Sequence, residues 1–234
     1  MKLLLTSAGI HNTSIHNALL DLLGKPLAEA NALCIPTASY GHRMVSPVQA
    51  WKFISGEEPQ CPMIELGWQS VGILELTALP SIDKERWFSW VRAADVLLVN
   101  GGDPMYLCYW MRQSGLADLL PSLDVLWVGL SAGSMIMTPR IGEEFVGWQP
   151  PAGGPELQGG KISQSGDETL GFVDFAIFPH LGHEMLPWNT MANAEKWAAG
   201  LECPAYAIDD ETAIKVVDGT VKVISEGHWK QFSP

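Results

Sequence analysis

The fold class is decided by one stretch of sequence, Val125-Leu126-Trp127-Val128-Gly129-Leu130-Ser131-Ala132-Gly133. Its first four residues are apolar, as in a buried strand, and its last five form the pattern G-x-S-x-G. Small residues around the serine permit a sharp turn from strand to helix, which would lift the Ser131 hydroxyl to the carboxyl edge of a sheet. The pattern therefore predicts a nucleophilic serine. The alternative is a glycine-rich turn whose serine only caps a helix.

Short apolar runs alternate with helical segments along the rest of the chain, which favours a mostly parallel sheet covered by helices on both faces. Further strands are predicted at residues 3–5, 32–35, 71–76, 96–99, 172–178, 206–208, 213–217 and 221–224. Helices are predicted after Ser14, after Ser46, at 83–91, after Asp103 and at 185–199. Asp218-Gly219 between the last two strands is typical of a tight turn, so the fold is expected to end in a β-hairpin.

The chain is expected to form a single domain over residues 1–234. Its 234 residues suit one α/β sheet, and neither an internal repeat nor a linker divides them. Hydrophobic residues make up 47% of the chain, which excludes an intrinsically disordered protein. The alternation breaks between Gly147 and Gly171, where Gly and Pro cluster. A loop this long is predicted to be functional or mobile.

The charge and the apolar pattern of the sequence indicate which binding partners and which cellular location to expect. The chain has 14 Lys and Arg against 26 Asp and Glu, a formal net charge of -12, and such a surface repels nucleic acids and anionic lipids. The apolar run at the N-terminus is too short for a signal peptide, and no apolar run is long enough to span a bilayer. The four cysteines are scattered, without metal-like spacing. We therefore expect a cytoplasmic protein with reduced thiols that binds neither nucleic acid nor membrane.

A second glycine-rich turn complements the serine turn. The buried strand predicted at 96–99 is followed by Asn100-Gly101-Gly102, and Asp103-Pro104 then begins a helix. The backbone N–H of Ala132, at a helix N-terminus, can donate to an oxyanion, and the glycine loop can bring a second donor to the neighbouring strand. Two such donors make an oxyanion hole. A capping turn with Asp103 as N-cap is compatible with this role.

A nucleophilic serine needs a general base, and His180 is the best placed of the six histidines. It directly follows the apolar run Phe175-Ala176-Ile177-Phe178-Pro179, so it is expected at the same sheet edge as Ser131. His183, three residues on, is the rival. The spacing of these histidines with Glu184 matches no zinc signature, so no metal is predicted.

An acid that orients the histidine would complete a triad. Asp209, Asp210 and Glu211 follow a late predicted strand, and Glu184 is the local alternative. Runs of acidic residues are usually solvated turns. From the residues alone the choice among these carboxylates stays open.

Taken in order, these elements resemble the peptidase E family, the aspartyl dipeptidases related to the cyanophycinases. The resemblance covers nearly the whole chain, from the first strand to the terminal hairpin. Four features carry it, in chain order: Asn100-Gly101-Gly102-Asp103 before a helix, G-L-S-A-G at 129–133, Pro179-His180 after a strand, and an acid after a late strand. The family's glycine triplet is Asn100-Gly101-Gly102 here. The family implies a sheet similar to that of class I glutamine amidotransferases.

The resemblance assigns a role to each candidate residue. It makes Ser131 the nucleophile, His180 its base and Asp210 the orienting acid, where several relatives have Glu. It makes the amides of Gly102 and Ala132 the oxyanion hole. It implies no cofactor.

The resemblance also implies a substrate, a small peptide with an N-terminal aspartate that is cleaved after that residue through an acyl-enzyme. The cation for the aspartate carboxylate is expected among Arg43, Arg140 and Lys161. Two alternatives remain: a cyanophycinase-like or other-specificity peptidase of the same family, and a catalytically silent member that binds a ligand. The oligomeric state is left open, a homodimer included.

Overall fold

The structure, a computed structural model, describes residues 1–57, 62–150 and 166–234, and these residues form ten β-strands and eight α-helices. The strands are β1 (Lys2–Thr6), β2 (Asn31–Ile35), β3 (Ser70–Ile73), β4 (Val96–Val99), β5 (Leu126–Leu130), β6 (Ala176–Phe178), β7 (Ala205–Ile208), β8 (Thr212–Val217), β9 (Thr220–Ser225) and β10 (Trp229–Phe232). The helices are α1 (Thr13–Leu23), α2 (Ala38–Gly41), α3 (Pro47–Ser55), α4 (Lys84–Ala93), α5 (Pro104–Gln113), α6 (Leu116–Leu119), α7 (Ala132–Met135) and α8 (Met191–Ala199).

Seven strands form the main sheet in the order β3-β2-β4-β5-β1-β8-β9. The first five of these are parallel, which confirms the predicted class. In the register of this sheet, Gly129 of β5 lies opposite both Leu5 of β1 and Val99 of β4. The carboxyl ends of β1, β4 and β5 therefore meet at one edge, where the turns after these strands come together.

Three further strands form a separate sheet in the order β10-β7-β6. The expectation of one sheet whose edge gathers all the candidate residues is wrong in this respect, since His180 follows β6 of the small sheet. The turn of Asp209–Glu211 carries the chain from β7 of the small sheet into β8 of the main sheet. The two sheets thus meet where the candidate acids lie.

Helices cover both faces of the main sheet, as predicted. Because side chains alternate along a strand, Leu3 and Leu5 of β1 join one buried cluster, with residues of α4 and α5. Leu4 joins a second cluster on the opposite face, with residues of α1 and with Phe53 of α3. Among the described residues, none of the helices combines the length and hydrophobicity needed to cross a bilayer.

Local signals in the sequence explain several element boundaries. Ser46 and Gln49 form a capping box at the start of α3, so the predicted helix begins where expected. Asp218, at φ 47°, and Gly219, at φ 83°, form the tight turn between β8 and β9 and confirm the predicted hairpin.

The strand predicted at 172–178 begins only at Ala176. The amides of Phe172 and Val173 both donate to the carbonyl of Met137, just beyond α7, instead of to a neighbouring strand. An apolar run alone could not distinguish these two sets of partners.

The helix predicted at 185–199 begins only at Met191. Pro187 lacks an amide hydrogen and disfavours helical conformation in the residue before it. Residues 183–189 therefore form short turns, and Thr190 caps α8 through its side chain.

Candidate active site

Ser131 stands between the last residue of β5 and the first residue of α7. Its backbone angles are φ 49° and ψ −108°, a left-handed conformation that costs energy in any residue except glycine. Its amide donates to the carbonyl of Thr6 at 3.1 Å, which ties the turn to the end of β1. The sharp turn predicted from G-x-S-x-G is therefore present, and it holds the serine half-buried at the sheet edge.

The two glycines of the pattern are required by close packing. A Cβ at Gly129 would lie 2.4 Å from the carbonyl oxygen of Gly133, and a Cβ at Gly133 would lie 2.4 Å from that of Val99. The indole Nε1 of Trp127 also donates to the Gly133 carbonyl at 2.9 Å. No side chain fits between β5, α7 and β4 at these points, so the turn keeps its position against both neighbouring strands.

Replacing Gly133 by alanine is expected to lower the free energy of unfolding by about 1–3 kcal/mol, because backbone must move to admit the methyl group. Urea unfolding measures the change. Gly200→Ala is the matched control, because its nearest contact would be an ordinary 3.4 Å to the Trp197 carbonyl. Equal stability losses in the two variants would contradict the packing account.

The glycine loop after β4 packs against the serine turn. Gly101 lies so close that a Cβ there would be 3.2 Å from the Cβ of Ser131. Gly102 has φ 138°, and a Cβ at this position would lie 2.3 Å from the carbonyl oxygen of Ala38. Over the described part of the chain, the amides of Gly102 and Ala132 donate to no protein acceptor. Both donors are therefore available to a ligand.

His180 and Asp210 form a close pair, with Nδ1 of the histidine 2.7 Å from Oδ1 of the aspartate. Burial alone would raise the pKa of Asp210, but the hydrogen bond and charge of His180, the hydroxyl of Ser7 and the charge of His183 together lower it. Asp210 is thus ionised at neutral pH. Since a carboxylate only accepts hydrogen bonds, Nδ1 carries the proton, and Nε2 is the nitrogen left to act as a base.

Backbone strain marks the same residues. His180 has φ 55°. Among the described residues, three that are not glycine have a positive φ: Ser131, His180 and Asp218. Asp218 belongs to the hairpin turn. Residues held in such conformations cluster at functional sites, because the surrounding structure must maintain them.

The acidic run divides into three separate roles. Asp209 closes the turn before β8, since its Oδ1 accepts from the amide of Glu211 at 3.1 Å and from the hydroxyl of Thr212 at 2.6 Å. Glu211 accepts from the side-chain amide of Asn12 at 2.9 Å. Asp210, between them, contacts the histidine.

The remaining alternatives, Glu184 and His183, are more exposed than His180 and Asp210. Glu184 is exposed. His183 places Nε2 at 3.7 Å from Oδ2 of Asp210, on the opposite oxygen from His180, and its side chain is 38% exposed against 19% for His180. His180 is therefore the histidine held by the shorter contact.

Ser7 is a member of the site for which the sequence gives no motif. Its hydroxyl donates to Oδ1 of Asp210 at 2.9 Å and accepts from the backbone amide of His180 at 2.7 Å. Its position two residues after the first predicted strand is the only signal that the sequence offers. That β1 lies beside β5 is not visible in the sequence and becomes known only from the sheet topology.

The three candidate cations differ in their surroundings. Arg140 forms an ion pair with Asp167 at 3.1 Å, and the carboxylate of Asp167 is only 3% exposed. The charge of Arg140 is therefore engaged in a structural ion pair. Lys161 lies outside the described residues. Arg43 is exposed, and its charge acts on Asp103, next to Gly102: burial raises the pKa of Asp103, and the charges of His42 and Arg43 oppose that rise.

Two buried cysteines, Cys34 and Cys108, are unsuited to act as nucleophiles at neutral pH. Burial raises the pKa of Cys34 to about 12 and that of Cys108 to about 11, so both thiols stay protonated at neutral pH. In residues 1–57, 62–150 and 166–234, no group of three or more His, Cys, Asp or Glu is arranged to hold a metal ion.

Comparison with known proteins extends over the whole fold. The model of peptidase family S51 matches residues 3–224. No curated protein matches the chain. A candidate peptidase E protein from Listeria monocytogenes EGD-e has a similar structure, with a TM-score of 0.67 and 19% identity over 97% of this chain and 98% of that one. A peptidase from an acI-B1 Actinobacterium gives a TM-score of 0.63 and 19% identity over 99% and 93%. At these identities the structural likeness supports the α/β fold.

Proposed function

Since this chain belongs to peptidase family S51 and is a serine-type peptidase of the peptidase E type, we propose that it hydrolyses dipeptides with an N-terminal aspartate. In this proposal Ser131 is the nucleophile, His180 the base and Asp210 the orienting acid. The amides of Gly102 and Ala132 form the oxyanion hole. The observation that carries the proposal is the 2.7 Å contact between His180 and Asp210, which the consecutive residues Thr6 and Ser7 join to the strained serine turn by hydrogen bonds.

Acylation begins when the Ser131 oxygen attacks the carbonyl carbon of the aspartyl residue and its proton passes to Nε2 of His180. Asp210 accepts the hydrogen bond from Nδ1 and stabilises the imidazolium. The negative carbonyl oxygen is bound by the amides of Gly102 and Ala132. Each donor of this kind lowers the barrier by about 2.7–4 kcal/mol in other hydrolases. His180 then protonates the leaving amine, and the second residue of the dipeptide departs.

Deacylation repeats these steps with water. His180 takes a proton from the water, the hydroxide attacks the ester, and the proton returns to the Ser131 oxygen as aspartate is released. One water is consumed per peptide bond, and no cofactor enters the reaction. The same two amides bind the second oxyanion.

Recognition of the aspartate side chain requires a cation, because burying an unpaired carboxylate is costly. We propose Arg43 for this role. Arg43 is exposed, just after α2, and its charge acts on Asp103 beside the glycine loop, whereas Arg140 is bound to Asp167. With a net charge of -12 the protein as a whole does not attract acidic peptides, so the selectivity must come from this local cation.

A panel of substrates tests the function. Purified protein is offered Asp-X dipeptides, Asn-X and Glu-X dipeptides, longer peptides with N-terminal aspartate, and an aspartate-rich polymer. The expected result is turnover of Asp-X dipeptides above all others. Preferential cleavage of the polymer would replace the proposal by a cyanophycinase-like activity. No turnover, together with no labelling of Ser131 by a fluorophosphonate, would indicate a ligand-binding protein.

The Arg43→Gln variant is expected to lower kcat/KM for Asp-Leu about 10- to 100-fold, the worth of a charged hydrogen bond. Turnover of Asn-Leu should change little, because that side chain has no charge to pair. Arg86→Gln, at an exposed arginine on α4, is the control. Equal losses on both dipeptides, or no loss on either, would reject Arg43 as the specificity residue.

A further inference from the structure

The dipeptide Thr6-Ser7 lies between the two halves of the candidate site. Thr6 is the last residue of β1, and its carbonyl accepts the amide of Ser131 at 3.1 Å. The next residue, Ser7, contacts both His180 and Asp210 through its hydroxyl. Two consecutive residues therefore join the serine turn of the main sheet to the histidine that follows the small sheet.

The Ser7 hydroxyl is fully enclosed, with 0% of the residue exposed. It donates its one hydrogen to Oδ1 of Asp210 at 2.9 Å. It accepts the backbone amide of His180 at 2.7 Å, which holds that residue in its strained conformation at φ 55°. Replacing Ser7 by alanine therefore removes one hydrogen bond from the Asp210 carboxylate and one from the His180 backbone.

The direction of the Ser7 hydrogen bond also affects which nitrogen of the His180 ring carries the hydrogen. Ser7 Oγ lies 3.5 Å from Nδ1 of His180, and because its hydrogen points to Asp210, it faces the ring with a lone pair. Nδ1 is therefore surrounded by acceptors, the carboxylate at 2.7 Å and the hydroxyl oxygen beyond it. This environment favours the tautomer with hydrogen on Nδ1, which leaves Nε2 as the base.

We propose that Ser7 is a positioning residue of the triad, which fixes the Asp210 carboxylate, the backbone of His180 and the tautomer of its ring. The inference rests on the proposed function of His180 and Asp210. Ser7 does not touch the substrate, so its loss should lower kcat and leave KM nearly unchanged.

The test compares Ser7→Ala with Ser134→Ala. Ser134 is also 0% exposed, and its hydroxyl donates to the same strand end, the carbonyl of Thr6, at 2.7 Å, and not to His180 or Asp210. Its backbone amide donates to the carbonyl of Ser131, a bond that alanine keeps. Ser7→Ala should lower kcat about 10- to 100-fold, as small misplacements of catalytic groups do, with KM within about twofold of the Ser134→Ala value. Ser7→Thr, which restores a hydroxyl, should recover most of kcat. Equal kcat for Ser7→Ala and Ser134→Ala would overturn the proposal.

Two further readouts separate this inference from the substrate. The rate at which a fluorophosphonate labels Ser131 depends on the base but not on a peptide, and it should fall in Ser7→Ala as kcat does. Proton NMR of folded protein should show the Nδ1 hydrogen of His180 far downfield in the wild type and in Ser131→Ala, and shifted or lost in Ser7→Ala.

These two measurements distinguish a failure of the Ser7 inference from a failure of the proposed function. An unchanged NMR signal in Ser7→Ala would overturn the role of Ser7 while leaving the peptidase proposal standing. Absence of Asp-X turnover with normal labelling would refute the substrate and leave Ser7 supported by labelling and NMR. If Ser7→Ala does not fold, the deciding variant is Ser7→Cys, which has a similar volume but a weak donor. Wild-type kcat in that variant overturns the proposal, and a loss of about tenfold or more supports it.

Discussion

Replacing Ser131 by alanine is expected to lower kcat on Asp-X dipeptides by on the order of 10⁴- to 10⁶-fold, the range found when a serine hydrolase loses its nucleophile. The oxyanion donors, His180 and the substrate pocket all remain, so the residual rate reflects binding and electrostatics without covalent catalysis. KM should change little. Initial rates at saturating dipeptide measure the loss.

Intact folding must be shown alongside the lost activity. The strain at φ 49° is carried by the backbone, and alanine keeps it, so the urea unfolding curve of Ser131→Ala should overlay that of the wild type. Mass spectrometry should find one fluorophosphonate adduct on the wild type and none on the variant. A folded Ser131→Ala protein that keeps a tenth of wild-type turnover would contradict the assignment of the nucleophile.

Replacing Asp210 by asparagine is expected to lower kcat by about 10⁴-fold. The asparagine amide can present a donor to Nδ1 of His180, which then loses its proton, so that Nε2 carries the hydrogen and cannot accept one from Ser131. Glu211→Gln is the matched control, because Glu211 is the adjacent carboxylate and bonds to Asn12 instead of the histidine. A larger loss in Glu211→Gln than in Asp210→Asn would move the acid by one residue.

The pH dependence of stability provides a second measure of the same carboxylate. The pKa of Asp210 is lower in the folded protein than in the unfolded chain. Its ionised form therefore adds stability above the unfolded value of about 3.9, and this contribution is lost as the pH falls through the folded pKa. When the pH falls from about 6 to below the folded pKa of Asp210, the free energy of unfolding should therefore decrease more in the wild type than in Asp210→Asn. The difference between the two decreases should equal the free energy that corresponds to the lowering of the Asp210 pKa. Parallel curves would exclude the stabilising pair.

The turn around Ser131 is predictable from the sequence because its signal is local. The apolar run before Gly129 and the small residues around Ser131 specify strand, turn and helix within nine residues. Position at a strand end also selected His180 over His183, and the structure gives it the shorter contact to Asp210.

Other parts of the site depend on partners far away in the chain. Ser7 and Asp210 are 203 residues apart and are adjacent only because β1 and β8 pair in the main sheet. No local pattern distinguishes Asp210 from Asp209 and Glu211, since their roles are set by the turn geometry and by Asn12. The sequence also gives no signal for strand β10, because two of its four residues are polar and the strand forms only by pairing with β7.

Heat or denaturant need not unfold the whole chain to inactivate such an enzyme. Ser131 and the two proposed oxyanion amides lie in turns at the edge of the seven-stranded sheet, whereas His180 extends from the three-stranded sheet. One face of the small sheet forms an apolar cluster with α8, and the other face joins the core of the main sheet. Local opening between cooperative units requires less free energy than global unfolding. We therefore expect catalysis to cease while the amides of the larger sheet are still protected from hydrogen exchange, and to return on cooling by re-docking, on a timescale faster than refolding.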